Sequence, residues 1–67
     1  MITIQLNGAD RQIAAGATVA DLLAELELDP RHVAVERNLE LAPRTAHADV
    51  RLAPGDRIEI VTLVGGG

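Results

Sequence analysis

Only one stretch of this chain repeats its apolar residues with a helical period. Val19, Leu22, Leu23 and Leu26 fall at i, i+3, i+4 and i+7, which makes one apolar stripe on one helix. A single stripe must be covered by something that is not another helix. The segments around it repeat with a period of two, so the cover is a sheet and the expected class is α+β. Thr18 stands where an N-cap belongs and Asp21 follows three residues on, the spacing of a capping box. The acid also suits the positive end of the helix dipole. Asp29-Pro30 is expected to stop the helix, because a residue before proline is pushed out of the α region. Leu28 is expected to fold back onto the core.

Ile2, Ile4 and Leu6 alternate with Thr3, Gln5 and Asn7, a strand with one buried face. Asn7-Gly8 is a strong hairpin signal, and a second strand is expected from about Arg11 to Ala14, with Ile13 inward and Gly16 ending it. Val33 and Val35 mark a third strand, and Leu39 and Leu41 a short fourth that ends at Pro43. Arg44 to Asp49 reads as irregular, with Val50 and Leu52 pinning it to the core. Pro54-Gly55-Asp56 is a turn, since proline presets one central position and glycine tolerates positive φ at the next. The final strand is expected from Arg57 to Leu63. Ile58 and Ile60 point inward, and Arg57, Glu59, Val61 and Leu63 share the other face. The order is β-β-α-β-β-β, with four to five strands in a mixed sheet and the helix packed across one face.

The 67 residues make one small domain. Aromatic residues are 0% and cysteines 0, so there are no disulfides, thiolates or cysteine zinc sites. A net charge of −4 without aromatic rings is unsuited to nucleic acid, which repels acidic surfaces and stacks on rings. No apolar run approaches about 20 residues, and no charged-then-apolar leader opens the chain. A cytoplasmic location is therefore expected. All 6 basic residues are arginine; genomic base composition accounts for that, as does the advantage of lacking a side-chain amine beside an activated acyl group. His32 and His47 lie outside any metal-ligand spacing and are expected to be solvated. The acids sit on outward faces, serine is absent, and no Gly-rich phosphate motif occurs. Nothing here makes a self-contained enzyme or binds a metal or cofactor.

The end of the chain stands out. Three of the 6 glycines are its last three residues, following Val64 directly. The expected division is a folded domain over residues 1–64 and a flexible glycine tail, Gly65, Gly66 and Gly67. Four residues reach about 13 Å, and glycine, lacking a Cβ, enters channels too narrow for other residues. The reactive group such a tail presents is its carboxylate, a substrate for activation by another enzyme. Val61 and Leu63 are expected to be solvent-exposed just before it, and grouped apolar side chains there imply a partner surface. Arg57, Glu59, Gln5 and Thr3 are expected to rim that surface, with Val64 continuing it. Its acids would favour a basic partner.

The chain resembles the ThiS family of ubiquitin-like sulfur carriers of thiamine biosynthesis. The matching features are I-x-I-x-L-N-G at Ile2–Gly8, A-T-V-A-D-L-L at Ala17–Leu23, N-x-x-L-A-P-R at Asn38–Arg44, L-x-P-G-D-R-I-E-I at Leu52–Ile60, and the closing V-G-G-G. Two features depart from the family pattern. Thr45-Ala46-His47 stands where an aromatic is common, and Leu39 or Glu40 where a turn glycine is usual. The resemblance implies a β-grasp fold with first and last strands side by side in parallel. It implies that an E1-like adenylyltransferase, using ATP and magnesium, adenylates the Gly67 carboxylate. A sulfur donor such as a cysteine desulfurase would then supply sulfur to make a thiocarboxylate, which thiazole synthase uses. Alternatives are a sulfur carrier for molybdopterin or cysteine synthesis, or a ubiquitin-like binding module without tail chemistry.

Overall fold

The computed structural model describes residues 1–63. Asn7 and Gly8 have φ of 49° and 84°, a type I′ turn whose twist matches that of paired strands. The turn joins β1 (Ile2–Leu6) to β2 (Ala9–Ile13), antiparallel, with Leu6 opposite Ala9. β2 begins at Ala9 rather than Arg11. Ala9 and Asp10 carry no apolar alternation, and the tight turn alone brings them into register.

The helix α1 (Val19–Glu25) starts as expected. Thr18 Oγ1 accepts from the Asp21 N–H at 3.2 Å, and Asp21 Oδ2 accepts from the Thr18 N–H at 2.9 Å. The remaining first-turn donors reach carbonyls of a distant segment, Val19 N–H to Val50 at 3.0 Å and Ala20 N–H to His47 at 3.1 Å. The end of α1 corrects the sequence expectation. Leu26 is the C-cap and Glu27 turns left-handed at φ 59°, so the helix stops before Asp29-Pro30. The Leu28 N–H bonds the Leu23 carbonyl and the Glu27 N–H the Ala24 carbonyl, the paired bonds of a Schellman motif. Leu28 packs against the core as expected. Asp29-Pro30 instead opens a 3₁₀ turn, Pro30–His32, in which Asp29 accepts from the Arg31 N–H.

β3 (Val33–Arg37) and β4 (Glu40–Ala42) form a second hairpin. Its turn residues, Asn38 and Leu39, both have positive φ, 52° and 71°. Leu39 thus occupies the conformation that suits glycine. The inward residue of β4 is Ala42; Leu39 and Leu41 are exposed. β5 (Arg57–Thr62) completes the sheet, in the order β2-β1-β5-β3-β4. β5 runs parallel to β1 and antiparallel to β3. First and last strands lie side by side and α1 covers one face: a β-grasp fold. Ile4, Val35 and Ile58 from the sheet meet Val19, Leu22 and Leu23 from the helix, all essentially buried. Leu52 joins that core with Val50 against it, as expected.

Two polar residues depart from expectation. His47 is buried behind the 3₁₀ turn Arg44–Ala46, with its Nε2 3.0 Å from the Ala42 carbonyl oxygen. Asp56 is buried as well. It follows a turn in which Gly55 has φ 82° and the Asp56 N–H bonds the Ala53 carbonyl.

Candidate partner surface

β5 alternates as expected. Ile58 is fully buried, Glu59 and Ile60 are each partly buried, and Arg57 and Val61 are exposed. Val61 is 58% and Leu63 49% exposed, so both are apolar side chains offered to solvent. Val64, Gly65, Gly66 and Gly67 lie outside the described residues.

The surroundings of Val61 and Leu63 differ from the expected rim. β1 lies against β5 only at Gln5–Arg57 and Leu6–Ile58. Beyond that point the Asn7 side chain replaces the strand: its Oδ1 accepts from the Ile60 N–H at 2.9 Å and its Nδ2 donates to the Ile60 carbonyl at 3.3 Å. Thr3 and Gln5 are therefore level with the Gly55–Arg57 end of β5, not with Val61. The neighbours of Val61 and Leu63 come from β3. Ala34 is opposite Val61 and Glu36 opposite Glu59, and the Leu63 N–H bonds the His32 carbonyl at 2.8 Å. Leu41 of β4 lies opposite Glu36 and is 67% exposed. The outer face thus carries rows Leu41–Glu36–Glu59 and Ala34–Val61. Leu41, Ala34 and Glu36 could not be placed beside Val61 from the sequence, because that requires the pairing of three strands.

The charge around this face is organised by Arg57, whose Nε is 3.8 Å from Glu59 Oε1. Beneath the turn before β5, Asp56 accepts from the Ala53 N–H, Asn38 Nδ2 and Arg37 Nε. Burial pushes its carboxyl up, but those three donors outweigh burial and hold it below the usual carboxylate range. Asn38 Oδ1 in turn accepts from the Arg57 N–H at 3.0 Å. The network fixes where β5 begins. Beside α1, a hollow of about 300 Å³ lies between Leu23, Leu28, Pro30 and His47, with Arg44 and Thr45 in its wall. Among the described residues no group of three or more His, Cys, Asp or Glu is placed to hold a metal. No helix there is long and apolar enough to cross a membrane.

Comparison with known proteins places this arrangement. The sequence profile of the ThiS family matches residues 4–67. The sulfur carrier protein ThiS of Bacillus subtilis is 43% identical over 65 residues, covering 96% of this chain and 98% of that protein. A thiazole synthase of Paramagnetospirillum magneticum is 50% identical over 62 residues, 92% of this chain but 19% of that protein. A second, from Magnetococcus marinus, is 42% identical and matched over 20% of its length. The chain therefore spans about a fifth of those two relatives. The crystal structure of a thiamine biosynthesis protein, ThiS, from Geobacter metallireducens superimposes with a TM-score of 0.85 at 29% identity, covering 98% of this chain and all of that one. With its profile, its full-length relative and its fold in agreement, this chain belongs to the ThiS family.

Proposed function

We propose that this protein is a sulfur carrier for thiazole formation in thiamine biosynthesis, with the Gly67 carboxylate as the group that carries sulfur. The single observation behind this reading is the family match, which runs through residue 67 and so includes Gly66-Gly67. A carboxylate is a poor electrophile. An E1-like adenylyltransferase using ATP and magnesium would join the Gly67 carboxylate oxygen to the α-phosphate, releasing pyrophosphate. The terminal sulfur of a persulfide, as a cysteine desulfurase would supply it, would then attack the carbonyl carbon and displace AMP, and a thiol would cleave the acyl disulfide so formed, itself ending as a disulfide. The resulting thiocarboxylate is a soft nucleophile from which thiazole synthase takes sulfur. The two thiazole synthases that contain a segment similar to this chain support that partner over a molybdopterin or cysteine pathway. In this reading the chain supplies no catalytic side chain. It supplies the tail, Gly65 to Gly67, and a docking face made by Arg57, Glu59, Val61, Leu63 and Val64. The reading places it in the cytoplasm, with its ATP-using partner.

The test is intact mass spectrometry after incubation with the adenylyltransferase, ATP and a sulfur donor. The expected result is the mass gain of one sulfur replacing one oxygen, absent when Gly67 is deleted. An unchanged mass with a partner shown to be active overturns the reading, and a deletion variant that still supports thiazole formation points to a binding module.

A further inference from the structure

We infer that the Glu36–Glu59 carboxylate pair on the outer sheet face receives an arginine of thiazole synthase, set among apolar side chains; this deepens the proposed docking face and rests on that reading. Glu36 and Glu59 are directly opposite across β3 and β5. Leu63 bonds His32 and Asn38 bonds Arg57 through the main chain. The alternation between those pairs makes Glu36–Glu59 a hydrogen-bonded pair, with Cα atoms about 5.5 Å apart. Like charges in that position destabilise a sheet. The fold relieves this little. Arg57 is 3.8 Å from Glu59, the long end of an ion pair, with both side chains well exposed. Among the described residues no ion pair or side-chain hydrogen bond reaches Glu36.

Beside the pair, apolar side chains are offered to water. Leu41 flanks Glu36 on one side, and Ala34 and Val61 form the next row. Leu41 and Val61 are 67% and 58% exposed. A negative centre that Arg57 relieves on the Glu59 side alone, flanked by solvent-exposed aliphatic groups, is complemented by a cation that tolerates partial dehydration. A guanidinium fits better than an ammonium, because it is weakly hydrated and its planar fork presents donors to two carboxylates at once. The net charge of −4 adds long-range attraction to a basic patch. Thiazole synthase is the owner of that arginine in this proposal, since two such enzymes hold a segment similar to this chain within one polypeptide.

The inference demands effects of opposite sign from one substitution. Glu36→Gln removes the repulsion, so the free carrier's thermal midpoint should rise by about 1–5 °C. The same change should weaken binding to the cognate thiazole synthase about tenfold, and flatten the dependence of affinity on salt. Glu36→Arg should weaken binding further. Unchanged affinity overturns the inference, as does a loss of affinity matched by a loss of stability, or a loss seen only with the adenylyltransferase. Thiocarboxylate formation, read by mass on wild-type carrier, is scored separately. A carrier that binds through Glu36 but gains no sulfur sinks the chemical reading and leaves the docking site standing.

Discussion

Asp56 gathers three donors on one carboxylate: the Ala53 N–H at 2.8 Å, Arg37 Nε at 2.9 Å and Asn38 Nδ2 at 3.2 Å. Its side chain is 8% exposed and that of Arg37 38%, so the attraction is screened on one side only. Asp56→Asn puts an amide N–H against a donor and removes the charge from the bonds. The expected loss is about 1.5–3 kcal/mol at neutral pH, read from the urea midpoint. The pH dependence follows from the direction of the shift. The folded carboxyl titrates below the unfolded one, so its contribution is complete above the unfolded value of about 3.9. It is lost as pH falls through the lower folded value. The gap between wild type and Asp56→Asn should stay constant above about pH 5 and narrow in acid. Neither Asp56 nor His47 was legible as buried. Both stand in turn sequences, and turns read as solvated. Each finds its partner outside its own turn, Arg37 for Asp56 and the Ala42 carbonyl, five residues back, for His47.

The elements were legible where a signal is local and chemically specific. Thr18 with Asp21 announced the start of α1, and Asn7-Gly8 the first hairpin. The end of α1 and the turn between β3 and β4 were not, for a shared reason: each uses a left-handed residue that is not glycine. Glu27 closes the helix and Leu39 occupies the turn at φ 59° and 71°. A left-handed L-residue costs about 1–2 kcal/mol, so neither advertises its conformation. Asp29-Pro30 gave a louder stop signal and drew attention past the true end. Glu27 is exposed and its main-chain bond to Ala24 does not depend on its side chain. Glu27→Gly should therefore stabilise the domain by about 0.5–1 kcal/mol, the relief being partly offset by the freer unfolded chain. Glu27→Ala separates the causes, since alanine keeps the strained φ and should give no such gain. Chemical denaturation of the two variants side by side decides the matter.

Across the whole molecule, period-two alternation told which residues face the helix but not which strands are neighbours. Parallel pairing of β1 with β5 joins residues about fifty positions apart, and nothing local encodes it. The outer face shows the consequence. Val61 and Leu63 were recognisable as exposed, yet two of their expected companions, Thr3 and Gln5, were misplaced, because Asn7 ends the β1 ladder and β3 supplies the neighbours instead. Exposure on a face away from the core gives a clean separation of folding from binding. Val61→Asp and Leu63→Asp remove no buried contact with Ile4, Val35 or Ile58, and the strand-propensity cost should stay within about 1 kcal/mol. If this face docks a partner, the new carboxylates must be desolvated in the complex next to Glu59, so affinity should fall tenfold or more. Circular dichroism melts and titration calorimetry against thiazole synthase measure the two effects independently. A variant that unfolds would mean the side chains are core and the strand register is off by one, a slip that would exchange the two faces of β5. A variant that folds and binds as wild type would move the interface elsewhere on the molecule and leave Val61 and Leu63 as incidental surface.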